Sequence, residues 1–237
     1  YDSSSGEFYD AIPTLTTEFG GADNLEFSIN EFYYLENLNG VLELTISYSI
    51  DLHGGANLVS FHALPEDISI GNIMSSLGDA VTGVIGEGEA ASPNPVLGWV
   101  GSLSEINRTS GYWIKMDDAG ILDLNGAIPS NPDIVYDIHS GANLISFPST
   151  EPVALADALP DDIEPFITGI IGEGQAASPN PVLGWVGSLS HFEGTKGYWM
   201  KSSDDFSFSF DLSESSVRES IQDTDSPYQY TQSMNQA

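Results

Sequence analysis

The chain has 237 residues, of which 35 are Asp or Glu and five are Lys or Arg, giving a formal net charge of −30. A surface with so few cations cannot release counterions from phosphates, so nucleic acid and anionic membranes are excluded as partners. With no cysteine, disulfides, thiolate metal sites and thiol nucleophiles are excluded too.

Hydrophobic residues make up 41% and aromatics 11%, enough for one large β domain or two to three small ones. No run of eighteen apolar residues exists, so no helix inserts into a membrane. The chain begins at Tyr1 rather than at Met or a signal peptide, which reads as a processed chain or an excised piece.

Residues 1–40 contain β-prone stretches such as Asn24 to Leu35, and read as N-terminal strands, a cap, or the end of a preceding module. From Leu42 to Leu52 apolar and polar residues alternate, the period of a strand with one face on a core. His53-Gly54-Gly55-Ala56-Asn57 follows, placed as a tight hairpin turn before the apolar run Leu58 to Phe61. Ser69 can cap a short helix in which Ile70, Ile73, Met74 and Leu77 fall at helical spacing. Gly86 to Pro95 is rich in turn residues and reads as a loop leading into a strand over Val96 to Leu103. In Gly111-Tyr112-Trp113-Ile114-Lys115, alternation puts Tyr112 and Ile114 on one face and Trp113 and Lys115 on the other, with one aromatic in the core.

The series then repeats. His139 to Phe147 restates His53 to Phe61, Ile167 to Ser190 restates Val81 to Ser104, and Gly197 to Lys201 restates Gly111 to Lys115, each 86 residues on. The spacing predicts two copies of one folded unit without insertions between His53 and Asp118. Val153 to Leu159 is the helix of the second copy, ended by Pro160, and Phe206 to Leu212 is a closing strand. The fold class is therefore mainly β: two tandem copies of a small sandwich-like or barrel-like module, each with one short helix. The modules span 41–126 and 127–212, and 213–237 is a polar tail or linker.

The motif series GANLISFP, GIIGEG, GWVGSLS and GYWMK resembles a repeated module of marine bacterial surface and secreted proteins and of marine phage structural, fibre-like proteins. The resemblance covers roughly residues 48 to 212. It implies an extracellular, cell-surface or virion-surface setting and neighbouring modules of the same protein or assembly as partners. It brings no catalytic residue with it.

No nucleophile elbow, zinc helix or phosphate loop occurs, so the chain reads as non-catalytic and without a cofactor, with an accessory domain of an enzyme as a second alternative. His53 and His139 hold equivalent turn positions and read as structural. A surface glycan is the alternative partner: Trp99 and Trp185 could stack on sugar rings, with Glu87, Asn94, Glu173 and Asn180 bonding hydroxyls. The same loops could instead hold the fold together, with Glu87 and Glu173 paired to Lys115 and Lys201. Asn57 or Asn143 with those lysines would also supply the parts of an internal isopeptide bond. Asp117, Asp118 and Asp123 are candidate Ca²⁺ ligands, although the spacing is not that of an EF-hand.

Overall fold

The computed structural model describes residues 43–212 and three short strands ahead of them: β1 (Thr14–Thr16), β2 (Ala22–Asn24) and β3 (Tyr34–Glu36). β1 pairs with β2. Most of the predicted piece from Asn24 to Leu35, and the tail 213–237, lie outside the described residues.

The first copy opens with β4 (Glu43–Leu52), whose alternation buries Ile46, Ile50 and Leu52; β3 lies antiparallel to it. Then come β5 (Gly55–Val59), β6 (Ala63–Leu64), α1 (Ile70–Ile73), a 3₁₀ turn over Ser75–Ala80, and β7 (Val81–Ile85). β8 (Ala90–Asn94), β9 (Gly98–Gly101), β10 (Tyr112–Met116) and β11 (Gly120–Pro129) complete it. Two sheets result. One has the order β5-β10-β7-β8-β9; the other, β3-β4-β11-β6. Their facing side chains enclose a core that includes Ile50, Leu52, Phe61, Tyr112, Ile114 and Leu122. Of the two faces of Gly-Tyr-Trp-Ile-Lys, the Tyr112 face is the buried one, as in its twin Tyr198.

The second copy has β12 (Tyr136–Ile138), β13 (Gly141–Ile145), β14 (Val153–Ala154), α2 (Leu155–Ala158), β15 (Ile167–Gly172) and β16 (Gln175–Asn180). It closes with β17 (Gly184–Gly187), β18 (His191–Phe192), β19 (Tyr198–Ser202) and β20 (Phe206–Phe208). Its main sheet has the order β13-β19-β15-β16-β17, matching the first copy strand for strand. Tyr136 faces Phe208 across β12 and β20, as Ile50 faces Leu122 across β4 and β11. The second core is separate and aromatic, with Phe147, Phe192 and Phe210 packed ring against ring. The architecture is mainly β and sandwich-like, with one short helix per copy.

Three sequence expectations are corrected. The His-Gly-Gly-Ala-Asn segment is not a hairpin. β4 and β5 belong to different sheets, so it is an arch from one sheet to the other. Asn57 makes the arch possible: its side chain accepts from the His53 N–H and donates to the His53 carbonyl, replacing the missing strand partner. Asn143 does the same for His139.

Gly86 to Pro95 is not one loop. Its second half is β8, an inner strand of the sheet. Pro93 is tolerated because β7 pairs only as far as Ala91, so its missing N–H breaks no ladder bond on that side.

The copies also slip locally. Ile70 donates its N–H to the Ser104 carbonyl, whereas the equivalent bond to Ser190 comes from Leu155, one residue short of the 86-residue offset. Ser69 caps α1 as expected, but α2 starts only at Leu155 because Val153 and Ala154 pair with β18.

Candidate functional site

The turns between β7 and β8 and between β15 and β16 carry Glu87 and Glu173, and both reach into the other copy. Glu173 accepts from the Leu58 N–H at 2.7 Å and from His53 Nε2 at 2.7 Å. Glu87 accepts from the Leu144 N–H at 2.7 Å and from His139 Nε2 at 2.6 Å. β5 and β13 are edge strands, and each carboxylate takes the place of a neighbouring strand's carbonyl.

The rest of each edge is covered reciprocally. Gly197 donates its N–H to the Leu58 carbonyl and Ser60 to the Thr195 carbonyl; Gly111 donates to Leu144 and Ser146 to Thr109. Gly111 and Gly197 meet where the copies cross. A Cβ on Gly111 would lie 2.8 Å from the Ile145 carbonyl oxygen and 3.3 Å from the Gly197 Cα. Both positions need glycine for that close approach. The contact is two-fold in character and closed, since each copy gives and receives the same bonds.

Both ring nitrogens of each junction histidine face oxygen acceptors. In His53, Nδ1 meets the Gly54 carbonyl; in His139 it meets that of Ser140. Only the imidazolium can donate to both sides at once. The Gly54 carbonyl and then Glu173 raise the His53 pKa, and Glu87 and then the Ser140 carbonyl raise that of His139. Burial pushes the Glu173 carboxyl upward, but the Leu58 N–H, the His53 bond and the charges of His53 and Lys196 outweigh it and leave the pKa lowered.

The expected pairing of Glu87 and Glu173 with Lys115 and Lys201 does not form. Those lysines are exposed on the outer face of their strands. The isopeptide arrangement fails for the same reason. Asn57 lies opposite Ile114 and Asn143 opposite Met200, on the buried face, while Lys115 lies opposite Ala56 and Lys201 opposite Ala142.

The second feature is the turn after β8 and its twin after β16. Val96 is 87% exposed and Leu97 73%; Val182 is 86% and Leu183 73%. Asn94 Oδ1 accepts from the Val96 and Leu97 N–H groups, and Asn180 repeats both bonds for Val182 and Leu183. The tips are thus fixed in shape by their own asparagines. Val100 and Val186, on the neighbouring strands, are also about half exposed.

Trp99 and Trp185 are half-buried against the two cores, and Trp185 Nε1 donates to Glu164. They are matched in burial, though Gly78 stands where Trp185 has Glu164, and neither is an open stacking platform. Trp113 and Trp199 are likewise both half-buried. Asp117 and Asp118 sit in the turn after β10, whereas Asp123 is within β11 and accepts from the Ser49 hydroxyl. Among the described residues no three His, Asp or Glu side chains gather as a metal site. No helix among them is long and apolar enough to cross a membrane.

Comparison adds no relative. No family model, curated protein or solved structure matches this chain.

Proposed function

We propose that the protein is a non-catalytic structural or adhesive module of an extracellular or virion-surface assembly, and that its two hairpin tips make the contact. The observation that carries this reading is the exposure of Val96, Leu97, Val182 and Leu183 on tips of fixed shape. Exposed aliphatic pairs are a liability in a soluble chain unless they meet a partner.

The internal duplication adds a second argument. From Ala90 to Ser104 the copies are identical to Ala176 to Ser190, tips included. Buried positions vary: Val59 becomes Ile145, Ile106 becomes Phe192 and Met116 becomes Ser202. Several buried positions thus differ between the copies while the bare tips are the same. A body stiffened by the closed junction holds two identical contacts at a fixed separation, the geometry of bivalent attachment. The resemblance to marine surface and fibre-like proteins agrees with that use.

The test coats beads with the full chain and measures their retention on an alkyl-grafted surface and on a hydroxyl-terminated one. The reading predicts retention on the alkyl surface, lost when Val96, Leu97, Val182 and Leu183 are all replaced by Ser with the melting temperature kept. Equal retention of the variant would contradict it.

A further inference from the structure

We infer that the junction holds a binding site for one small neutral polyol, of the size and chemistry of a single sugar ring, in a cavity that the first copy's arch forms with the second copy. The site is separate from the hairpin tips, and the proposal does not depend on their role.

The cavity has a volume of about 240 Å³ and lies between the arch at Asp51–Val59 and the segments around Glu173 and Lys196. That is below the ~300–1,000 Å³ of sites for drug-sized ligands, and junctions between folded units are where such sites concentrate. Its floor is apolar, with Leu52, Val59 and Leu189. Its rim carries Asp51, Gln175, Glu193 and Lys196, all exposed, with no side-chain hydrogen bond among the described residues. Glu173 and His53 also line it but are committed to each other.

The mixture of rim charges selects the ligand class. An anion would meet Asp51, Glu193 and Glu173, and a cation would meet Lys196 and the imidazolium of His53. A hydroxyl both donates and accepts, so it can serve carboxylates and an ammonium at the same rim without placing like charges together. The C–H face of a sugar ring suits the aliphatic floor.

The rim also separates this junction from its twin. Where the first has Gln175, Glu193 and Lys196, the twin has Glu89, Asn107 and Ser110. In the twin, Glu89 folds back over its own turn, close enough that a Cβ on Gly86 would lie 3.2 Å from its Cγ. Around Gly172, the equivalent glycine, the nearest groups are Tyr198 and Leu189, and Gln175 is not among them. The residue at this position thus lies against the turn glycine in one junction and farther from it in the other. The copies share their fold and bonds but differ at the three positions that a rim ligand would touch.

The two junctions provide their own exchange experiment on the full chain. Calorimetry and ligand-observed NMR are run with glucose, galactose, mannose and N-acetylglucosamine, with glucuronate and glucosamine as charged controls, at millimolar concentration. The proposal predicts that at least one neutral sugar binds one per chain and more tightly than the charged controls. The triple variant Gln175→Glu, Glu193→Asn, Lys196→Ser should bind it at least tenfold more weakly with the melting temperature kept. The converse triple, Glu89→Gln, Asn107→Glu, Ser110→Lys, should raise the stoichiometry to two. Absence of binding by every neutral sugar overturns the proposal. So does binding that survives the first triple variant, a preference for a charged control, or a converse variant that folds and still binds one.

Discussion

His53 and Glu173 stand 120 positions apart in the chain and are joined at 2.7 Å across the junction of the two copies. His139 and Glu87 form the mirror contact at 2.6 Å. The histidine comes from the arch that leaves one sheet, and the glutamate from the hairpin that protrudes from the other copy. Each glutamate also closes the open edge of a strand, at Leu58 or Leu144. The most alike parts of the repeat thus act between copies as well as within them.

Removing that closure should cost stability. Glu173→Ala leaves the buried Leu58 N–H without its acceptor, a loss of about 1–3 kcal/mol, and the partial exposure of Glu173 places it in the lower half of that range. For a chain of this size each kcal/mol moves the midpoint by roughly 2–4 °C. Glu87→Ala should behave alike, and the double variant should lose at least the sum. Thermal melts of the three variants check this; an unchanged midpoint in both single variants would speak against a stabilising role.

The junction should be sensitive to pH on both sides. The His53 and His139 pKa values are raised above their ordinary 6.5, so their contribution is complete below that value and is lost as pH rises through the folded-state value. Glu173 is lowered below its ordinary 4.5, so its contribution is present above that value and is lost as pH falls through the folded one. Melting temperatures taken across pH should therefore decline as pH rises above 6.5. In the double variant His53→Gln, His139→Gln that decline should flatten relative to the parent; parallel profiles would count against the paired imidazoliums.

Gly111→Ala and Gly197→Ala should each pry the copies apart. A Cβ on Gly197 would sit 2.7 Å from the Val59 carbonyl oxygen, which is backbone and cannot swing away. Small-angle scattering should show a larger radius of gyration for the double variant than for the parent. A double variant as compact as the parent, with an unchanged midpoint, would mean that the copies do not meet at these glycines.

Salt should stabilise the chain. A net charge of −30 repels itself, and ions screen that repulsion within about 10 Å at 0.1 M. The midpoint should rise from low salt to seawater-like salt, and Ca²⁺ should match NaCl at equal ionic strength. A midpoint indifferent to salt would reject the repulsion argument, and a specific gain from Ca²⁺ would place a metal site on the chain.

Much of the fold was legible because it rests on local periodicity. The alternation in Leu42 to Leu52 put Ile46, Ile50 and Leu52 inward, and the spacing of Ile70, Ile73, Met74 and Leu77 placed the helix. What was not legible depends on contacts distant in sequence. Ser92-Pro93-Asn94 has the composition of a loop and is a strand because it pairs with Gly98 to Val100 of β9. His53 to Asn57 has the composition of a hairpin and is an arch because β5 finds its partner in β10. Glu87 was expected to find the lysine shared by the copies, yet it pairs with the histidine shared by them. The recurrence of both His and Glu at the same offset was the available signal, but reading it required knowing that the copies face each other.

Amide hydrogen exchange at Leu58 and Leu144, followed by NMR on the full chain, tests the reciprocal closure most directly. Both amides sit on edge strands of their sheets, and among the described residues they donate to Glu173 and Glu87 of the opposite copy. The account predicts slow exchange at both in the parent. In Glu173→Ala, Leu58 should become fast while Leu144 stays slow, and Glu87→Ala should reverse the pattern. Fast exchange at Leu58 and Leu144 in the parent, with the interior strands β10 and β19 still protected, would contradict it: the copies would then be independent units strung on one chain.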